Sequence, residues 1–527
     1  DGALTLCDCE PNGKKGCITH VLKDDGTRSG DRGVSVNGSF TMYGGEIANN
    51  NGGVTVGYKG SFSQSIGNFT MYGGTIRNNT FTASYAAGGG GVRVNEDSSF
   101  AMYGGTICDN EALDGAEGGG VYVKNGHFIM NGGEITGNTC ETYRGGGVYI
   151  SGKTIQVTGG TISNNKCFGT KQGEGGGMCV SNASGSISGI TVTGNTAGDR
   201  GGGIAFVNKG DVTLKDSTIT GNMAGSSGVG GGGVSIRETT VTISGKLIIS
   251  GNTKGGTINS SGKLTGGTPN NVLLWMSKDS LHIGGDLTGG KGSIGVTTDG
   301  TPGNNSYRDI AEGKSQYIDL SVFTYENDDT PISTYTDTEG DVVFLRVCKH
   351  SFNNKWITGN GQHWHTCKNC DSTSEKVNHT FDKKKVSTNT YFASAATCTE
   401  GPKYYYSCEC GEKGTETFTS GNALGHNYSV SRNNGKAATC TAEGKASDMQ
   451  CSRCPSVETG ATINALGHSY GTPSYTWKGN ECTALRTCSR DGSHIETETV
   501  TAAATVTREE TCELEELSTY TASFENT

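Results

Sequence analysis

At 527 residues the chain is too long for one ordinary hydrophobic core, so several modules or a long solenoid are expected. Glycine supplies 87 residues against a usual share of ~7%, yet these lack a triplet period and prolines number only 7, which excludes collagen; the hydrophobic fraction is 32%. A net charge of −10 excludes a general nucleic-acid binder, which needs a basic field, and no apolar run is long enough to span a membrane.

Residues 1–31 carry Cys7-Asp-Cys9 and Cys17-Ile-Thr-His20 and read as a cysteine-containing N-terminal cap. From residue 32 the chain repeats itself. FTMYGGEIANN (40–50) returns as FTMYGGTIRNN (69–79), FAMYGGTICDN (100–110) and FIMNGGEITGN (128–138), then more loosely as far as residue 252. A second phrase alternates with it, a glycine cluster followed by a short strand such as GGGVYV (118–123) or GGGVYI (145–150). The strand-opening residues Val92, Val121, Val148, Met178, Ile204 and Val234 are 29, 27, 30, 26 and 30 residues apart. That length suits one coil of short strands and tight turns, and the Gly, Thr, Val, Ile and Tyr content favours strands over helices. The expected fold is therefore all-β, a parallel β-helix over 32–300, right-handed by the preference of parallel crossovers.

Alternation in Phe-Thr-Met-Tyr points Phe and Met inward and Thr and Tyr outward. Ile47, Ile76, Ile107, Ile135, Ile162, Val192, Ile219 and Ile249 are expected to stack as an inward column. Three residues after each stands an asparagine, from Asn50 to Asn252, and eight copies in one register predict an internal asparagine ladder. The outward aromatics Tyr43, Tyr72 and Tyr103, with Tyr122 and Tyr149, are candidate ligand-binding residues, although cross-strand stacking between coils would also account for them.

These phrases resemble the glycine-rich "GGTISGN" repeats of secreted proteins from anaerobic bacteria, within the pectin-lyase-like class of right-handed β-helices. The resemblance covers about residues 30–300 and implies a secreted or cell-surface location; the class hosts lyases, hydrolases and adhesins alike. Residues 301–347, rich in Thr, Asp and Tyr, are expected to cap the open end of the helix.

At Cys348 the composition changes: 12 of the 19 cysteines and seven of the ten histidines lie in 348–512. Cys398, Cys440 and Cys482 are spaced by 42, as are His426 and His468. The expected modules are 348–385, 386–426 and 427–468, with 469–527 holding a degenerate fourth and the start of a fifth. Zinc takes four Cys or His ligands, and a Cys-x-x-Cys knuckle supplies two of them at the right bite. The predicted sets are His350, Cys367, Cys370 and His379, with Cys348 and His365 in reserve; Cys398, Cys408, Cys410 and His426; and Cys440, Cys451, Cys454 and His468. In the degenerate module His494 is a substitute for the missing cysteine, and Cys7, Cys9, Cys17 and His20 form a comparable N-terminal cluster. Disulfides and inert thiols stay open as alternatives. Such zinc would be structural, because a segment of about 40 residues cannot bury enough surface to fold without a metal or crosslink.

A catalytic glycan-acting site on this fold would need carboxylates and Arg or Lys on an outer face. Glu141 with Arg144, Asp199 with Arg200, Asp211 with Asp216 and Arg237 with Glu238 are present, but none recurs as a catalytic motif. The expectation is a non-enzymatic extracellular scaffold or adhesin-like protein with glycan or surface-protein partners or self-assembly. A polysaccharide lyase or hydrolase, and a purely structural fibre, are the alternatives.

Overall fold

The computed structural model describes residues 3–7, 16–19, 32–59, 63–83, 87–226, 228–258 and 264–526. Two compact units divide the chain, Asp1–Ile357 with Trp364–Lys376, and Thr358–His363 with Val377–Thr527.

The first unit is a parallel β-solenoid of about 10 turns. A representative coil holds four short strands, Ser99–Met102, Thr106–Cys108, Glu111–Leu113 and Val121–Lys124. Each pairs in parallel with its counterpart one coil on, His127–Met130, Glu134–Thr136, Thr139–Cys140 and Val148–Ser151. Like therefore lies on like. Phe40, Phe69, Phe100 and Phe128 form one buried column, and the rings of the first three stack at 4.9 and 4.8 Å. The methionines two residues on form another, and the predicted Ile47–Ile76–Ile107–Ile135–Ile162 column is fully buried.

The asparagine ladder is present throughout. Asn138 donates from its backbone N and its Nδ2 to Asn165 Oδ1 at 3.0 and 2.9 Å, and also from Nδ2 to the Ile107 carbonyl at 2.9 Å. The same exchange repeats from Asn50 to Asn252 and runs one step further, to Asn271, whose backbone N donates to Glu326 Oε2 at 2.8 Å. Asn271 Nδ2 also meets Glu326 Oε1, so a carboxylate terminates the ladder. The left-handed conformation falls one residue before each ladder asparagine from Asn50 to Asn252. Asn49, Asn78, Asp109, Gly137 and Asn164 have φ between 52° and 67°, which is why that position holds only Asn, Asp or Gly. In the glycine clusters, close approach decides: a Cβ on Gly147 would lie 2.6 Å from the Gly177 carbonyl of the next coil.

Parallel pairing continues past residue 300, Leu281–Leu287 with Tyr307–Lys314 and Ile294–Thr298 with Phe323–Tyr325. Val342–Cys348 then lies antiparallel between Tyr307–Lys314 and Ile332–Thr336 and covers the edge of Tyr307–Lys314. Arg346 locks this cap by donating to Asp309 at 2.7 Å between the rings of Tyr307 and Tyr335.

The second unit consists of small antiparallel hairpin sheets in series. Phe392–Ser394, Lys403–Ser407 and Lys413–Thr419 form one, Tyr428–Ser431, Met449–Cys451 and Val457–Glu458 another, and Ser474–Lys478, Glu481–Thr487 and Ile495–Thr501 a third. Few side chains are buried there apart from cysteines.

Candidate metal centres

Strand pairing brings the Cys/His residues together. In the second unit, Leu424 and Gly425 donate backbone hydrogen bonds to the carbonyls of Thr397 and Cys398, which holds Cys398 beside His426. The strand that begins at Tyr428 then pairs with Met449–Cys451, setting Tyr428 opposite Cys451. His426 thereby reaches the Cys451–Cys454 knuckle of the following module. One repeat later Leu466 and Gly467 bond to Thr439 and Cys440, and Tyr470 bridges Cys488.

Four groups result, each with ligand atoms within 4.8 Å of one another. In the first unit Cys348, His350, Cys367 and Cys370 converge, with Cys348 Sγ 3.8 Å from Cys367 Sγ and Cys370 Sγ 3.3 Å from His350 Nδ1. Cys348 ends the cap strand, and Asp371, just past the knuckle, donates its backbone N to the Thr334 carbonyl, so this group is built onto the end of the solenoid. His363, His379, Cys408 and Cys410 form the second group, with His363 Nδ1 3.5 Å from Cys408 Sγ and His379 Nδ1 3.7 Å from Cys410 Sγ. The third holds Cys398, His426, Cys451 and Cys454, with sulfurs 3.7 Å apart and Cys454 Sγ 3.2 Å from His426 Nδ1. Cys440, His468 and Cys488 make the fourth, again with a 3.7 Å sulfur pair.

These separations match a metal's coordination tetrahedron. With metal–sulfur bonds of ~2.3 Å its edges are ~3.8 Å, whereas a disulfide requires ~2.05 Å. Among the described residues every cysteine except Cys7 is a free thiol. The sulfurs are prepared unequally. Burial opposes ionisation of Cys451, yet the N–H groups of Arg453 and Asn427 and the His426 ring bring its thiol down to about 5. Burial likewise works against Cys367, but the Asn369 N–H and His350 lower it to about 6. The facing Cys348 is pushed up to about 12, chiefly by burial.

The groups differ from those drawn from sequence. His350, Cys367 and Cys370 stay together, but the fourth member is Cys348, and His379 belongs with His363, Cys408 and Cys410. Cys408 and Cys410 thus part from Cys398 and His426, while Cys451 and Cys454 part from Cys440 and His468. In the third and fourth groups the reason is the pairing described above, by which a knuckle serves the Cys and His of the preceding module; in the second, Cys408 and Cys410 meet two histidines of the preceding module, and in the first the Cys367–Cys370 knuckle meets Cys348 and His350 of its own module. His363 was not singled out, and only its buried place on the strand Gln362–Cys367 identifies it. His365 stacks instead on Trp356 at 3.7 Å. At the N-terminus Cys7 is disulfide-bonded, which removes its thiolate from a metal set, and Cys17 is exposed on a short strand. Cys9 and His20 lie outside the described residues.

The tyrosines divide. Tyr43, Tyr72 and Tyr103 are 59%, 48% and 46% exposed and stack face to face at 5.1 and 5.0 Å. Tyr122 and Tyr149, expected on an open face, are buried together with Cys179, Ala205 and Val207. A line of charges runs beside them. The residue before each glycine cluster, Glu117, Arg144, Glu174 and Arg200, lies in line from coil to coil. Glu174 is buried and meets Arg144 at 2.7 Å and Arg200 and Arg237 at 3.4 Å. Arg200 also pairs with Asp199 at 2.8 Å and lies over Trp275. Burial raises Glu117 to about 7. Only the charge alternation at one repeat position signalled this arrangement in the sequence. The other expected carboxylate pairs have local roles: Glu141 accepts from the Asp114 N at 3.0 Å and Asp216 from the Lys246 N at 2.9 Å.

Fold and site together define an all-β protein with a parallel β-solenoid and Cys/His groups that could hold metal ions. No family model, curated protein or solved structure matches the chain. Among the described residues no helix is long and apolar enough to cross a membrane.

Proposed function

We propose that the protein is a non-enzymatic extracellular or cell-surface scaffold of adhesin-like character, in which structural zinc staples consecutive Cys/His modules. The observation that carries this reading is that three of the four groups supply four protein ligands each, leaving no open position for a substrate. Zinc is the metal of choice for mixed thiolate and imidazole tetrahedra. The exposed Tyr43–Tyr72–Tyr103 stack supports binding of a sugar ring or a host protein, since its three rings are flat, nearly parallel and open to solvent.

Elemental analysis with thiol titration tests the metal, and sugar-array binding with and without Tyr43→Ala, Tyr72→Ala and Tyr103→Ala tests the face. Zinc in the preparation and array signals lost in the triple variant are expected. Metal content near zero would overturn the staple, and signals indifferent to the tyrosines would remove the adhesive role and leave a structural fibre. Product analysis on polygalacturonate and mucin glycans addresses the alternative. Reproducible cleavage that is lost in Asp199→Asn or Asp211→Asn would replace the scaffold reading with an enzyme.

A further inference from the structure

The third and fourth metal groups match feature by feature, apart from one corner. Their knuckles read Cys451-Ser-Arg-Cys454 and Cys488-Ser-Arg-Asp491. In each, the residue after the histidine donates its backbone N to the first sulfur at 3.3 Å, Asn427 to Cys451 and Ser469 to Cys488. In each, the knuckle arginine reaches back to the carbonyl of the Ala-Leu-Gly-His leucine, Arg453 to Leu424 and Arg490 to Leu466. In each, the histidine stacks on a tyrosine at 5.2 Å, His426 on Tyr428 and His468 on Tyr470. The sulfur pairs are both 3.7 Å apart. Where the third group has Cys454, the fourth has a carboxylate.

We propose that Asp491 is the fourth ligand of a metal site completed by Cys440, His468 and Cys488, and that His494 positions it. Ser493 donates its N and Oγ to Asp491 Oδ1 at 2.9 and 2.6 Å, which fixes the carboxylate and leaves Oδ2 for another partner. Among the described residues His494 Nδ1 is buried without a hydrogen-bond partner, 4.0 Å from Asp491 Oδ2, and its ring meets His468 edge-on at 4.7 Å. Asp491 lies outside the set of atoms within 4.8 Å of one another, so as fourth ligand it would turn Oδ2 inward, and His494 Nδ1 would hydrogen-bond the ligating carboxylate, the usual outer-shell arrangement. The resulting set of two thiolates, one imidazole and one carboxylate is harder than the three-thiolate set of the third group, so this site holds zinc less tightly and exchanges it first.

This assignment rests on the zinc-staple reading, and one experiment separates the two. The full chain is loaded with zinc, its bound metal counted, and the count followed against increasing EDTA. Wild-type protein is expected to hold four zinc ions and to lose one at an EDTA concentration about 10-fold or more below the rest. Asp491→Ala should hold three. Asp491→Cys should hold four and release the ion of this site no earlier than the others, a gain that misfolding cannot produce. His494→Ala should keep four at low EDTA but release the weakest sooner. A wild-type count of three, four ions retained by Asp491→Ala with an unchanged profile, or loss of the fourth in His494→Ala alone would overturn the assignment and leave the staples standing. A count near zero would overturn both.

Discussion

The two repeats of this chain find their partners by opposite rules. In the β-solenoid a residue meets its own counterpart one coil on: Ile107 pairs with Ile135, and Asn138 bonds Asn165. In the modules a residue meets a different position of the next repeat: Cys398 faces Cys451, not Cys440, and His426 faces Cys454. A period read from sequence therefore identifies contacts where like stacks on like. Where a strand crosses from one repeat to pair within the next, the period alone assigns ligands to the wrong neighbours. The energetics differ in the same way. Buried apolar columns and a hydrogen-bonded ladder hold the solenoid, whereas the modules bury cysteines and only a few other side chains, among them Tyr391, Tyr404 and Phe418.

The largest test of this contrast removes metal. If zinc staples the modules as proposed, a strong chelator at mildly acid pH should loosen them and leave the solenoid intact, because each structural zinc would contribute on the order of 10 kcal/mol to folding. Region-resolved hydrogen exchange reads this directly, and a reductant should have no such effect. Loosening by reductant with indifference to chelator would mean that the cysteines are bridged in solution. The next test targets the solenoid. Ile135→Asp places a charge in the fully buried column and should cost several kcal/mol, while Thr136→Asp, on the other face, should cost little. Equal melting temperatures for the two would refute the inward assignment.

Within the ladder, Asn165→Ala removes an acceptor used by Asn138 and donors used by Ile135 and Asn195. It should cost about 1–3 kcal/mol, with exchange protection lost first in the adjoining coils; damage spread evenly over both units would contradict stacking as the cause. The smallest effect is electrostatic. Burial raises Glu117 from 4.5 to about 7, so the folded state binds this proton more tightly than the unfolded chain does. Its contribution is present below pH 4.5 and is lost as pH rises through 7. Glu117→Gln should flatten that part of the stability profile, and a slope identical to wild type would place the titration elsewhere.

Composition and periodicity by themselves determined the solenoid, since a repeated inward Phe-x-Met, Ile and Asn can be buried only if successive coils stack in register. They also determined which residues carry metal-type chemistry, because thiols and imidazoles recur there at fixed intervals while most residues between them change. Tertiary structure alone decided which four meet. It set Cys348 rather than His379 beside Cys370, through the cap strand, and it recruited His363 from the strand that precedes its own knuckle. It also buried Tyr122 and Tyr149 beside a row of charges, and it ended the asparagine ladder on Glu326, 55 residues beyond Asn271. Alternation states only that a side chain leaves the solenoid core. Whether it then meets solvent depends on what later coils lay across it, and no repeat unit contains that information.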